Sequence, residues 1–273
     1  MAFNPKRGSY YRMPIFFGPN PGPRQYPAGL TIDWNTTPKK REIAVSFLTD
    51  AHRLEAFLPP RFELWGEPVV TVRVWYLTEI AWLGGRGYNM CDVEFPALYQ
   101  SAQGPVHGNL VLVRWEDLAD PIISGREELG HNKLYCEIPA ARALHGRYST
   151  EMSWLHFPFL KVAVWDLREH ATPAAPDPLY RGMLSYKYIP KTGDWGVEDV
   201  AYATLSPPAK QGRVLKRLQG AGSVEFCDAT WDDMPTQHHV INAFASLPIH
   251  TIRGASLMDS EGGASGSETY RLE

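Results

Sequence analysis

Cysteine is scarce in this chain of 273 residues: Cys91, Cys136 and Cys227 are all there are. They lie far apart, are odd in number and form no CxxC pair, which argues against a disulfide scaffold and for a reducing compartment. Long apolar runs are also missing. No window approaches the ~20 apolar residues of a membrane span, and the N-terminus lacks a signal-peptide core, so a soluble cytoplasmic protein with no membrane partner is expected. Nor is there an excess of one charge. With 27 Lys and Arg against 30 Asp and Glu, nucleic-acid binding has no electrostatic support at the level of the whole chain. The short basic runs Pro38–Arg41 and Lys210–Arg217 read as solvated faces. No GxSxG nucleophile elbow occurs. Gly220-Ala221-Gly222 precedes a strand without completing a dinucleotide-binding pattern, and His238 and His239 would point to different sides of a helix, so no joint metal site is expected.

Aromatic residues, by contrast, are plentiful: nine Trp, thirteen Tyr and eleven Phe, ample for a sizeable core. Residues 1–38 are rich in Pro, Gly and Tyr and read as an arm laid across a domain, with Ile15, Phe16 and Phe17 expected to be buried. Residues 39–257 form one domain. Residues 258–273, beginning MDSEGGASGS, have the composition of a flexible tail. Strands are expected at Val69–Trp75, Asn109–Trp115, Val162–Leu167, Met183–Ile189 and Ser223–Ala229, where β-branched and aromatic residues alternate or cluster. Three short helices are expected: one capped by Asp50 and stopped by Pro59-Pro60, one over Pro139–Leu144 ending at Gly146, and one from Thr236 to Ser246. Many strands with few helices imply a β-rich, antiparallel α+β fold.

The segment Gly125–Leu134, GREELGHNKL, carries the strongest functional signal. If His131–Ile138 is extended, His131, Lys133, Tyr135 and Glu137 share one face, and Leu134, Cys136 and Ile138 share the other, suited to a core. Read alone, Lys133 on such a strand is most simply a surface residue. The spacing Gly125-Arg126-Glu127, five residues, then Lys133 resembles the lysine-bearing motif of the acetoacetate decarboxylase family, in which that lysine forms a Schiff base with a ketone. The resemblance runs from about residue 38 to about 257. It includes Thr49-Asp50 with the helix ending at Leu58-Pro59-Pro60, Gly87-Tyr88-Asn89, Asp120-Pro121, Tyr186–Pro190 and the region from Ser223 to Asp233. It implies a barrel or cone of strands enclosing the site, a small-molecule carbonyl substrate, a homo-oligomer and no metal or organic cofactor.

Three positions depart from the family pattern. Met90 stands where a glutamate follows the Gly-x-Tyr-x segment, Arg73 replaces another glutamate, and Leu134 replaces the usual second lysine. An ordinary lysine, with a pKa of ~10.4, is protonated at neutral pH, and such lysines are activated by an adjacent cation or by desolvation. Without the second lysine, burial is left as the main means of lowering the pKa of Lys133. Asp92 lies on the same side of a strand as Met90, displaced by ~6.6 Å, and is a candidate replacement carboxylate; the alternative is a salt bridge of Asp92 or Glu94 to Arg73. His131 is a candidate acid/base or a hydrogen-bonded wall residue. The family's active-site arginine corresponds to Lys40 or Arg41, with Arg24 on the arm as a further candidate. Tyr88, Met90 and Tyr135 complete the expected substrate contacts. The resulting expectation is a Schiff-base lyase of secondary metabolism, of decarboxylase or aldolase-dehydratase type, acting on a small keto acid or related carbonyl compound. The alternative is a non-covalent isomerase, cyclase or ligand-binding protein using the same cavity.

Overall fold

The computed structural model describes residues 4–170, 177–209, 212–263 and 268–273. Lys210 of the second basic run, and residues 264–267 of the expected tail, fall outside these. In chain order the first half contains β1 (Lys39–Leu48), α1 (Ala51–Glu55), β2 (Phe62–Leu64), β3 (Val69–Thr78), β4 (Tyr88–Ser101), β5 (Gly104–Glu116) and α2 (Ala119–Ser124). A π-helical turn, Gly125–Leu129, continues α2 and leads into β6 (Lys133–Tyr135). Then follow β7 (Arg142–Leu144), β8 (Arg147–Trp154), β9 (Phe157–Glu169), β10 (Tyr180–Pro190), β11 (Glu198–Ser206), β12 (Arg213–Phe226), α3 (His238–Ala245), β13 (Thr251–Glu261) and β14 (Tyr270–Arg271).

All these strands join one sheet in the order β14-β11-β10-β5-β4-β3-β1-β13-β12-β9-β8-β7, with β2 added to β4 and β6 to β5. The β-rich α+β class is as expected, but the sheet is mixed: β5 pairs in parallel with both β6 and β10. A parallel neighbour requires a crossover rather than a hairpin. The crossover from β5 to β6 is α2 with its π turn, and it places the Gly-Arg-Glu segment directly over the first residue of β6.

Strand alternation divides the sheet into two chemically opposite faces. One is apolar: Ile43, Val45 and Phe47 of β1, Val70, Val72 and Val74 of β3, and Cys91, Val93 and Phe95 of β4 are all buried. This face packs against Ile241 and Phe244 of α3, and Trp115 reaches across to donate from Nε1 to Gln237 Oε1 at 2.8 Å. Truncating large side chains in such a core costs about 3–5 kcal/mol. The other face carries Glu42, Arg73, Asp92, Glu94, Arg114 and Glu116, and it is this face that the N-terminal arm helps to cover.

Several local expectations are corrected. Pro139–Leu144 is not a helix. Its end is β7, which forms a hairpin with β8 through His145 and Gly146, both at positive φ (47° and 76°); two such residues make the tight turn whose twist suits a hairpin. The helix at α2 was missed, although Asp120-Pro121 puts proline in a first turn. Residues 258–261 belong to β13, not to a tail, and Tyr270-Arg271 pairs with β11 while Leu272 is buried. Phe16 and Phe17 are exposed rather than buried. The arm is fastened elsewhere: Gly263 N–H donates to Trp34 O at 2.8 Å and Gly262 N–H to Pro38 O at 2.9 Å.

Candidate active site

Lys133 lies at the floor of a cavity of about 640 Å³. Its side chain is 6% exposed. The amine donates to Pro121 O at 2.9 Å and lies 2.7 Å from Glu116 Oε1. Of the two Glu116 oxygens, Oε1 meets the Lys133 amine as a close ion pair, and Oε2 has no partner among the described residues. Walls are supplied by Tyr10, Tyr26 and Trp34 of the arm, Trp75 and Leu77 of β3, and Trp82.

The Gly-Arg-Glu segment builds this floor residue by residue. A Cβ on Gly125 would lie 2.4 Å from Lys133 Cε and 2.6 Å from Nζ, well inside contact distance, so the lysine runs through space that any other residue would fill. Arg126 Nη1 donates to Lys133 O at 2.8 Å and fixes the strand start. The Glu127 carbonyl accepts from Lys187 Nζ at 2.6 Å. Glu128 accepts from Arg24 Nε at 2.6 Å and from Arg12 Nη1 at 3.1 Å, which ties the arm over the cavity. The second glycine motif has an equally simple basis: a Cβ on Gly87 would sit 1.9 Å from Leu77 O, so only glycine lets β4 start this close to β3.

Of the expected site residues, Lys133, His131, Lys40, Arg24, Tyr88 and Met90 line the cavity. Arg41 does not. Its guanidinium forms two bonds to Asp259, at 2.7 and 2.9 Å, in an exposed position. Arg41 shares the parity of Ile43 and Val45, and at the start of β1 that face has run out of core and meets solvent. Tyr135 is also outside, 42% exposed, because the short β6 carries it past the edge of the covering turn. Asp92 is buried beneath the cavity, where both its oxygens accept from Arg114 at 2.6 Å. It therefore holds Arg114 and does not project into the space beside Met90. Glu94 pairs with Arg73 at 2.7 Å, as the salt-bridge alternative required, and Arg73 also reaches Glu42 at 3.0 Å.

Burial is the largest influence on Lys133, Glu116, His131 and Tyr88. It pushes the Lys133 amine below its ordinary value, opposed by the charge of Glu116 and assisted by that of Arg114. Burial raises the Glu116 carboxyl, with Lys133 and Arg114 pulling the other way. These opposite directions bring amine and carboxyl closer to sharing one proton. Burial, reinforced by Arg114, Lys133 and Arg24, holds the His131 imidazole well below its usual range, so the ring is neutral. Its Nε2 lies 3.0 Å from Ser206 Oγ, which lies 2.7 Å from Thr269 Oγ1, while its buried Nδ1 has no partner among the described residues. Tyr88 is also held protonated by burial.

The family model described as Acetoacetate decarboxylase (ADC) matches residues 12–257. The chain belongs to the acetoacetate decarboxylase family. Among curated proteins none matches. Several solved structures share its fold at low sequence identity. The enduracididine biosynthesis enzyme MppR, complexed with the condensation product of pyruvate and imidazole 4-carboxaldehyde, is 16% identical with a TM-score of 0.65; the similarity covers 92% of this chain and 95% of that one. Acetoacetate decarboxylase from Legionella pneumophila is 19% identical with a TM-score of 0.63, covering 88% and 92%. An acetoacetate decarboxylase-like enzyme from Sphingomonas wittichii RW1 is 16% identical with a TM-score of 0.62, covering 90% and 98%.

Two site residues of this family member were missed by sequence reasoning. Glu116 ends the run NLVLVRWE one residue beyond the expected strand, and its meaning depends on which strand lies beside it. Arg114 sits opposite Lys133 in the β5–β6 pairing, and its charge helps to lower the Lys133 pKa. Among the described residues no cluster of three His, Cys, Asp or Glu is arranged to hold a metal ion, and no helix is long and apolar enough to cross a membrane.

Proposed function

We propose that this protein is a Schiff-base-forming lyase, with Lys133 attacking the ketone of a small keto acid whose far end is apolar or aromatic. One observation carries the reading. The Lys133 amine is buried at a cavity floor, is pushed toward its neutral form by that burial, and has a carboxyl group within 2.7 Å. A neutral amine is the nucleophile that imine formation needs, and the protonated imine then acts as an electron sink for loss of carbon dioxide or water, or for an aldol step. The size of the cavity favours the aldolase-dehydratase branch. A four-carbon keto acid would leave most of about 640 Å³ unfilled, whereas an adduct bearing a ring would meet Trp75, Trp82 and Trp34. Lys40, at the rim of β1, is suited to the substrate carboxylate.

The non-covalent reading draws support from the same short contact, because a Glu116 carboxylate holding Lys133 charged would suppress attack. Reductive trapping separates the two. With pyruvate as a probe keto acid and cyanoborohydride as reductant, peptide mapping is expected to find the adduct on Lys133, and Lys133→Arg should lose it while keeping the charge. A Lys133→Ala protein that still trapped the probe in the cavity at the wild-type rate would sink the imine mechanism.

A further inference from the structure

We propose that Glu116 is the catalytic acid and base of the Lys133 site, taking over from the neighbouring strand the place that Met90 leaves without a carboxylate. The inference rests on the reading that Lys133 forms an imine. In the β4–β5 pairing Met90 stands directly opposite Glu116 on the same face of the sheet, Met90 lining the cavity and Glu116 buried just beneath it against the Lys133 amine. Directly opposed residues have Cβ atoms about 4.5–5.5 Å apart, so exchanging the two positions moves a carboxylate sideways by one strand while keeping its height on the sheet. The move brings it onto β5, the strand beside Lys133, and the 2.7 Å contact follows.

Three features separate Glu116 from a structural carboxylate. It is fully buried, a costly place for a charge whose one close partner among the described residues is the Lys133 amine. Its neighbours on the same face are held differently: Asp92 engages both arms of Arg114, and Glu42 and Glu94 share Arg73. The other buried group close to the amine, His131, is kept neutral and turned toward Ser206, and the remaining ionisable groups facing the pair are Arg114, Asp92 and Tyr88, the last held protonated by burial.

The chemistry balances with one proton. With Lys133 as free amine and Glu116 as acid, nitrogen adds to the ketone carbon and the carbonyl electron pair moves to oxygen. Glu116 protonates that oxygen and takes back a proton from nitrogen, giving the neutral carbinolamine. It then protonates the hydroxyl; the carbon–oxygen bond breaks, water leaves, and the nitrogen lone pair completes the iminium. The products are one water, one cation on Lys133 and one carboxylate on Glu116, still paired.

The test is the rate of adduct formation on Lys133 with pyruvate and cyanoborohydride, followed by mass spectrometry across pH. Glu116→Gln is expected to slow adduct formation by about 10²–10⁴-fold, the usual worth of a positioned acid or base. It should also abolish the alkaline limb of the rate profile and move the acid limb to lower pH, since the carboxylate no longer retains a proton on Lys133. Glu116→Asp, which keeps the carboxyl, should keep both limbs at a reduced rate and serves if the Gln variant fails to fold. Adding Met90→Glu to Glu116→Gln should restore at least about tenfold of the rate; no restoration overturns the exchange of positions. A Glu116→Gln protein that traps as fast as wild type, or faster, overturns the catalytic role and leaves Glu116 a counter-ion. Absence of any adduct in wild type would instead remove the imine reading, and this inference with it.

Discussion

Replacing Gly125 by alanine tests whether the glycine of the Gly-Arg-Glu segment exists to admit the lysine. The added Cβ would stand 2.4 Å from Cε, 2.6 Å from Nζ and 2.7 Å from Cδ of Lys133. Carbon atoms settle about 3.5–4.0 Å apart, so the end of the lysine must retreat by more than about 1 Å. A reacting group misplaced by about 1 Å loses roughly 10²-fold in rate. The fold should suffer much less. Gly125 is in right-handed helical conformation (φ −69°), where alanine is favoured by about 0.8–1 kcal/mol, while the lost Lys133–Pro121 bond costs about 1.5–3 kcal/mol. The net is a destabilisation of about 0.5–2 kcal/mol. Thermal unfolding should therefore shift by only a few degrees, while trapping of pyruvate on Lys133 falls about a hundredfold. A folded Gly125→Ala protein that traps at the wild-type rate refutes the reasoning.

Two further outcomes follow from the arm and the amine. Glu128→Ala removes the carboxylate that receives both Arg12 and Arg24, each nearly buried. The arm should become sensitive to protease ahead of the domain, with about 1–3 kcal/mol of stability lost, less than the 3–5 of a fully buried pair because the two arginines can return to water; unchanged digestion would refute the fastening. Because burial lowers the Lys133 pKa, with Glu116 opposing and Arg114 assisting, its trapping rate should fall on acidification at a pH below the ordinary lysine value of ~10.4. In the window between those two values the unfolded chain binds more protons at this residue, so its contribution to stability rises with pH. A trapping profile that rises only near the ordinary lysine value would contradict the assigned direction.

Much of the site was legible because its motif is local. The count from Gly125 to Lys133 spans one π turn and the step into β6, so spacing in sequence is also spacing in space. Facing along β6 was right for His131, Lys133, Cys136 and Ile138, and failed at Tyr135, where the cavity ends before the strand pattern does. What remained hidden was pairing. No pattern within KKRE shows that Lys40 faces inward while Arg41 meets Asp259, two residues into β13's partner register. Likewise, nothing local to Met90 reveals a glutamate across the β4–β5 pair. The missing carboxylate was sought two residues along the same strand, at Asp92, when it lay one strand over.

The charges of the polar face constrain the substrate further. Arg73 is paired with Glu42 and Glu94, Arg114 with Asp92 and Arg24 with Glu128, and Lys133 lies against Glu116. Lys40 is different: it lines the cavity, is lowered in pKa by burial alone, and has no carboxylate or hydrogen-bond partner among the described residues. Its register partner on β3 is Leu77, which makes Trp75 its diagonal neighbour on the same face, within reach for long side chains. The Trp75 indole N–H is itself buried without an acceptor among the described residues. The Lys40 amine and this indole thus meet at the end of the cavity formed by β1 and β3, four and three strands away from the strand that carries Lys133. A buried donor left unpaired costs about 1–3 kcal/mol, which an anionic or carbonyl-bearing group on the ligand would recover. An acetoacetate-sized molecule held by Lys133 would leave that end unmet, so the arrangement favours a longer substrate, with the reacting carbonyl at one end and an acceptor at the other.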